Sequence, residues 1–497
     1  MPSIALYEPA RRRGLVRPAV AFTAAAITGI ALAALPQPAA HAAGETVNIW
    51  LTTTNDSAGR SVTRGLQQQS PLSFASSSAN ASQTITVNEN NQYQSFIGAG
   101  ASMTDTAAYD IATLSSTTKN QVMTNLFSPT SGIGLDWLRN PMGASDLARY
   151  NYSYDDMPAG QTDPNLNNFS ISHDLVDILP LTKQAQQLNP SLKIMGVPWS
   201  APAWMKDNDK FTNRGWLESQ YYAAYAQYFV KYLRAMKAEG VTIAAIAVQN
   251  EPLNPKNNPS LVMTAADQRT FIRDHLGPAL QAAGLTTKIF LYDHNADHPE
   301  YPISILADPA AKAFVDGSAF HLYGGTIDAL TTVHDAHPDR NLYFTEQWTS
   351  STGHFDGDLR WHVKNLVVGA PRNWSRTVLE WNLANDETFG PHTDGGCTTC
   401  LGAVTIDSKS AAVRRNVAYY IVGHLSRFVD PGSVRVASTV TGAKPTSLPN
   451  VAFRTPAGRY VLVVLNDGET THRFDLAFGG RRVTHTLDVG AVATYVW

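Results

Sequence analysis

Cysteine is nearly absent from these 497 residues, and the two that occur, Cys397 and Cys400, stand in one short segment. A framework of several disulfides is therefore excluded. In an exported chain so close a pair reads as a local disulfide rather than a redox centre. Zinc would need two further ligands of suitable spacing, which His392 alone does not supply. The pairs His294/His298 and His334/His337 form no recognisable metal set, so no metal and no cofactor is expected. Charge is also scarce, at 16% of residues, and balanced, with 38 basic against 41 acidic side chains. No basic tract lies beyond the extreme N-terminus, which argues against nucleic acid as a partner. After that terminus no apolar run is long enough to span a bilayer. Neither a Gly-x-Ser-x-Gly elbow nor a phosphate loop is present.

The first residues have the pattern of an export signal. Arg11-Arg12-Arg13 precedes an Ala-rich apolar run from Ala19 to Leu35, and Ala40-His41-Ala42 fits a small-x-small cleavage site. Residues 1–42 are thus expected to be a signal peptide and the mature protein, secreted to the extracellular side, to begin near Ala43. An uncleaved anchor is the competing reading, against which the short run and Pro36 and Pro38 speak. The adjacent arginines leave both the general and the twin-arginine export routes open.

What the chain does have is a regular alternation. From Phe96 onward, apolar strand-like runs (Phe96 to Met103, Leu135 to Asn140, Lys193 to Pro198, Ile243 to Asn250, Lys288 to Asp293, Ser318 to His321, Leu342 to Glu346, Thr377 to Asn382) alternate with amphipathic helical ones. Tyr221 to Glu239 and Ala266 to Ala283 are two of the helices. Eight such units predict an α/β fold, a (β/α)8 TIM barrel over residues 96–428, with Ala411 to Phe428 as its last helix. The period then changes to alternating strands (Ser433 to Ser438, Val451 to Arg454, Tyr460 to Leu465, Thr471 to Ala477, Val483 to Trp497), which predicts an antiparallel β-sandwich over 429–497. Thr52 to Ser82 is rich in Ser, Thr and Asn, and Gln83 to Asn88 is the first clear strand. With no helix to follow it, that strand should join the C-terminal sheet, so segment 43–95 and the C-terminus build the sandwich together.

Two of the barrel runs end in a glutamate, Glu251 after Asn250 and Glu346 after Thr345. Barrel chemistry sits at the C-terminal ends of the strands. A retaining glycosidase needs two carboxyl groups facing each other across a sugar bond, about 5 to 5.5 Å apart, one to give a proton and one to attack the anomeric carbon. Glu346 must then be ionised and needs a cation or donors, for which Arg139 and Tyr323 are candidates. Glu251 must carry a proton, so its pKa is expected to be raised by an apolar setting or by the charge of Glu346. The 10 Trp and 19 Tyr supply flat faces on which sugar rings could stack, although most aromatics are core.

Taken together, Phe96-Ile-Gly-Ala-Gly-Ala-Ser-Met-Thr-Asp105, Arg139-Asn-Pro-Met-Gly, Pro198-Trp-Ser-Ala-Pro-Ala-Trp-Met-Lys206, Gln249-Asn-Glu-Pro252, Ala319-Phe-His-Leu-Tyr323, Phe344-Thr-Glu-Gln347 and Trp381-Asn-Leu-Ala384 resemble glycoside hydrolase family 30 over nearly the whole mature chain. That family includes glucosylceramidases and microbial β-1,6-glucanases, and its barrel carries a β-sandwich built from both chain ends. The resemblance implies Glu251 as general acid/base and Glu346 as nucleophile, with Asn250 at the sugar 2-hydroxyl and Asp146, Trp199, His321 and Trp381 lining the sugar pocket. It implies a retaining hydrolase of β-D-glucosides acting on a β-glucan or β-glucoside, of β-1,6-glucanase or glucosylceramidase type. The segment Gly390 to Gly402 looks more like microbial members, which favours the soluble polymer. A family 30 xylanase or other β-glycanase is the alternative, and a carbohydrate-binding protein without catalysis is the reading of a different class. Endo or exo action and oligomeric state stay open.

Overall fold

The computed structural model describes residues 44–54, 61–76 and 81–497. The expected signal peptide lies outside the described residues. Eight parallel strands, Gly98–Ser102, Trp137–Pro141, Lys193–Val197, Ala245–Ala247, Lys288–Ala296, Val315–Gly325, Asn341–Glu346 and Ser375–Asn382, follow in chain order around a closed barrel. The eighth pairs with the first through Thr377↔Gly98. Trp137, Met195, Val197, Ala245, Ala247, Phe290, Ala319, Tyr343 and Leu379 fill the interior, with Phe290 stacked on Tyr343 at 3.8 Å between ring centroids. The interior is thus a packed plug whose upper end can support a site.

Outside the strands, helices bury their apolar faces in the largest core cluster. Tyr222–Ala238 contributes Tyr225, Tyr228, Phe229, Tyr232 and Leu233 to it. The helix expected over Ala266 to Ala283 spans 265–282 but contains a π-helical stretch, Ile272–Leu276. Pro278 follows it and brings no backbone N–H, so the regular bond ladder is broken there. The expected last helix from Ala411 is shorter than read. Val413–Arg415 is a strand paired antiparallel with Val404–Ile406, and the helix runs only over Val417–Ser426. Ala411 has a positive φ of 57°, so a helix cannot pass through it.

The sandwich is one continuous ladder of nine strands. Its order is Arg64–Ser73, Thr46–Thr53, Val492–Val496, Tyr460–Leu465, Asn450–Arg454, Ser433–Gly442, Gln83–Phe96, His472–Phe478, Arg481–Leu487. Both chain ends contribute, as the lack of a helix after Gln83 implied. Three details differ from the expectation. Two strands precede Gln83, one of them, Arg64–Ser73, mostly exposed and polar. The run Val483 to Trp497 is two strands, broken before Gly490, whose φ is +70°. Neighbours are antiparallel except Gln83–Phe96 with His472–Phe478, which run parallel. His424 on the last barrel helix bonds Thr494 and Thr52 at 2.8 Å each, tying barrel to sandwich. No helix among the described residues is long and apolar enough to cross a membrane.

Candidate active site

At the C-terminal mouth of the barrel lies a cavity of about 330 Å³ lined by Glu251, Glu346, Asn250, Asp146, Trp199, Tyr323, Trp348 and Trp381, among others. Glu346 is the last residue of the seventh strand. Glu251 stands four residues beyond the short fourth strand, at a positive φ of 43° that non-glycine residues seldom adopt. The turn is held because the Glu251 N–H donates to the carbonyl of Asp293 at 2.9 Å. Asp293 itself (φ 59°) and Tyr292 (φ 73°) form an irregularity in the fifth strand, and the buried Gln268 accepts from the Tyr292 N–H at 2.8 Å. The left-handed backbone at Glu251 and Asp293 goes with carboxylates that both meet His321.

Beneath the cavity an ion network joins the barrel strands. Arg139, fully buried, donates from Nη1 to Glu346 Oε2 at 2.5 Å and from Nη2 to Asn250 Oδ1 at 2.6 Å and Asp293 Oδ2 at 2.7 Å. Its guanidinium lies 4.8 Å from the ring of Trp199 and 5.6 Å from that of Trp381, the two indoles being 5.1 Å apart. The Tyr323 hydroxyl donates to the other oxygen of Glu346 at 2.9 Å. His321 places Nδ1 3.1 Å from Glu251 Oε1 and Nε2 3.3 Å from Asp293 Oδ1. The second oxygen of Glu251 accepts from Asn254 at 2.7 Å and Asn257 at 2.9 Å. One oxygen of Glu251, one of Glu346 and a nitrogen of His321 all lie within 4.8 Å of one another.

The electrostatics differ from the expectation at both glutamates. Burial raises the Glu251 carboxyl, but the imidazolium of His321 bonded to it, with His294 and Asn254, overcomes this and brings it down to about 2. For Glu346 burial dominates, and although His321 and Arg139 lower it, the charges of Glu251 and Asp293 help to leave it above the ordinary carboxylate value. Burial works against a charged His321, yet Glu346, Asp293 and Glu251 push it up to about 9. The contact thus favours the protonated form of His321 and the carboxylate form of Glu251. The reason is geometric: His321 touches Glu251 directly, a contact that strand counting does not reveal. Asp146, raised by burial and by both glutamates to about 7, stands apart from the cations.

Of the residues expected from sequence, Asp146, Trp199, Asn250, Tyr323 and Trp381 stand on the cavity wall with the two glutamates, while Arg139 and His321 lie fully buried below it. Cys397 and Cys400 are joined in a disulfide and also line the cavity. Asp293, Thr345, Asn254 and Asn257 were not expected. Thr345 donates to Asp293 at 2.6 Å. Asp293 could have been found, since it ends an apolar run in the same way as the two glutamates. The asparagines carry no such signal, because only the folded turn after Glu251 brings them back to it.

A (β/α)8 barrel whose strand ends present two glutamates, a buried cation and paired indoles to one cavity defines a glycoside hydrolase by class. Residues 96–429 match the family described as glycosyl hydrolase family 30 TIM-barrel domain, and residues 432–495 its beta sandwich domain. The chain belongs to glycosyl hydrolase family 30. It is 34% identical over 422 residues to an endo-1,6-beta-D-glucanase of Trichoderma harzianum, covering 81% of this chain and 84% of that one. With the lysosomal acid glucosylceramidase of Mus musculus the identity is 28% over 440 residues, covering 83% of each. A solved endo-beta1,6-glucanase superposes with a TM-score of 0.81 at 34% identity, over 91% of this chain and 99% of that structure.

Proposed function

We propose that the protein is a secreted, retaining β-glycoside hydrolase that cleaves β-1,6-glucan, with Glu251 as acid/base and Glu346 as nucleophile. The observation that carries the reading is the close approach of the two carboxylates, within 4.8 Å by one oxygen each. An inverting enzyme needs about 6.5–9.5 Å to admit a water between them. Arg139 and Tyr323 hold one oxygen each of Glu346, so the carboxylate is aimed before substrate arrives. Because Arg139 takes Asn250 Oδ1, the Asn250 amide is left as a donor for a sugar hydroxyl.

The proton follows the charges. His321 passes its Nδ1 proton to Glu251 Oε1 as the leaving group departs, and Glu251 gives it to the glycosidic oxygen. Glu251, left as a carboxylate by that transfer, then takes a proton from the incoming water as it attacks the glycosyl ester of Glu346 and returns it to His321, which restores the starting charges. His321, raised to about 9 from an ordinary 6.5, is protonated below that value and neutral above it. Activity should therefore fall as pH rises through about 9. An alkaline limb in kcat/KM that persists unchanged in His321→Gln would count against this route.

For the substrate, the β-1,6-glucanases are more similar to this chain than the mouse glucosylceramidase, at 34% against 28%. Digestion of β-1,6-glucan, laminarin, xylan and glucosylceramide side by side tests the choice. Gluco-oligosaccharides or glucose from the first are expected, and cleavage of glucosylceramide alone would overturn it. Residues 1–42 are read as the export leader, 43–95 with 429–497 as the sandwich and 96–428 as the barrel. A secreted protein whose N-terminus, once sequenced, is not near Ala43 would contradict the leader.

A further inference from the structure

The segment after the eighth strand, residues 390–402, touches both the Asp146 wall and the two chains that carry the glutamates. Its first arm is bonded to the second-strand loop and to the Glu251 loop. The Thr393 N–H donates to the Asp146 carbonyl at 3.0 Å, the Thr393 hydroxyl donates to the Asn258 carbonyl at 2.7 Å, and the Asn258 amide returns a bond to the Asp394 carbonyl at 3.2 Å. Its second arm is bonded to the chain leaving Glu346, where Cys400 pairs antiparallel with Ser350, while Asn385, just past the eighth strand, donates to the Cys400 carbonyl at 2.5 Å. The Cys397–Cys400 disulfide joins the two arms. Both sulfurs and an Asp146 carboxylate oxygen lie within 4.8 Å of one another, and the pair packs in the cluster of Trp199, Trp348 and Trp381. The fit is backbone against backbone. A Cβ on Gly396 would stand 2.4 Å from the Asp146 carbonyl oxygen.

We infer that this disulfide-closed loop is a specificity-determining wall of the sugar pocket, and that the Cys397–Cys400 bond sets how tightly the glucan is held by fixing Asp146 against Trp199 and Trp381. The inference rests on the functional reading above. The disulfide touches neither glutamate through any hydrogen bond, so its loss should weaken binding of ground state and transition state alike. Such a change raises KM and spares kcat.

The test reduces the folded enzyme with a water-soluble phosphine. Each phosphine takes the oxygen of one water and leaves two thiols, which are counted by titration. Expected is a rise of about tenfold in KM for β-1,6-glucan with kcat within about twofold, reversed on reoxidation. Cys397→Ser/Cys400→Ser should reproduce the shift and lose its response to phosphine, and Gly396→Ala should raise KM with the disulfide intact. An unchanged KM at two free thiols, or a fall in kcat at constant KM, overturns the inference. Quenching of the pocket tryptophans by a β-linked gluco-oligosaccharide gives the same comparison as a Kd. If the wild type left β-1,6-glucan uncut, the functional reading would fall, while that Kd would still decide the role of the loop.

Discussion

Glu346→Ala is expected to lower hydrolysis by about four to six orders of magnitude, the scale seen when a nucleophile acting as part of a unit is removed. The side chain is held from both sides, by Arg139 and by Tyr323, a placement that no other carboxylate of the cavity lining shares. Removing it leaves a space below the anomeric carbon that a small anion can enter. Azide should therefore restore cleavage of an aryl β-glucoside and yield the α-glycosyl azide, because attack comes from the face opposite the leaving group. Full activity without azide, or a β-linked azide product, would show that Glu346 is not the attacking group.

Arg139→Met should have the second largest effect, and it should appear in stability as well as rate. Methionine keeps much of the packing against Trp199 and Trp381 but removes the buried cation that serves Glu346, Asn250 and Asp293. Breaking a buried ion pair from one side costs about 3–5 kcal/mol. Burial opposes the ionised Asp293, but Arg139, then His321 and Thr345, hold its carboxyl well below the usual range. A carboxyl with a depressed folded value contributes stability above its unfolded value, and that contribution is lost as pH falls through the folded value. The deficit of the variant against wild type should hence be largest above about pH 4, the unfolded carboxylate value, and shrink in acid. Arg139 is one of the groups that pull the Glu346 carboxyl down, so with the cation gone it rises further and loses its anchor, and kcat should fall by about 10²–10³. Arg139→Lys should recover little, since one ammonium cannot serve three acceptors in a plane. Thermal unfolding over a pH series checks the first effect, and a variant as stable as wild type at pH 7 would contradict it.

Much of this was legible in the residues. The eight apolar runs were each found as a barrel strand because strands covered on both faces need continuous apolar character, which local sequence carries. The edge strand Arg64–Ser73 is hidden in the sequence because most of its residues face water, and Thr46–Thr53, though an interior strand, carries three threonines and an asparagine that give it mixed polarity. At the site, Glu346 ends its strand and so was easily found, whereas Asn254 and Asn257 depend on a turn with Glu251 in a left-handed conformation. The opposite shifts of His321 and Glu251 were not legible either. They depend on a 3.1 Å contact between residues 70 positions apart. Likewise, Asp146 follows the second strand and the disulfide the eighth, and only closure of the barrel brings them together.

The central claim is that two carboxyls this close work by double displacement. Proton NMR of the first sugar released from β-1,6-glucan or an aryl β-glucoside, recorded before mutarotation, tests it most directly. The account predicts that the β-anomer appears first and the α-anomer only later by equilibration. Initial release of the α-anomer would contradict it.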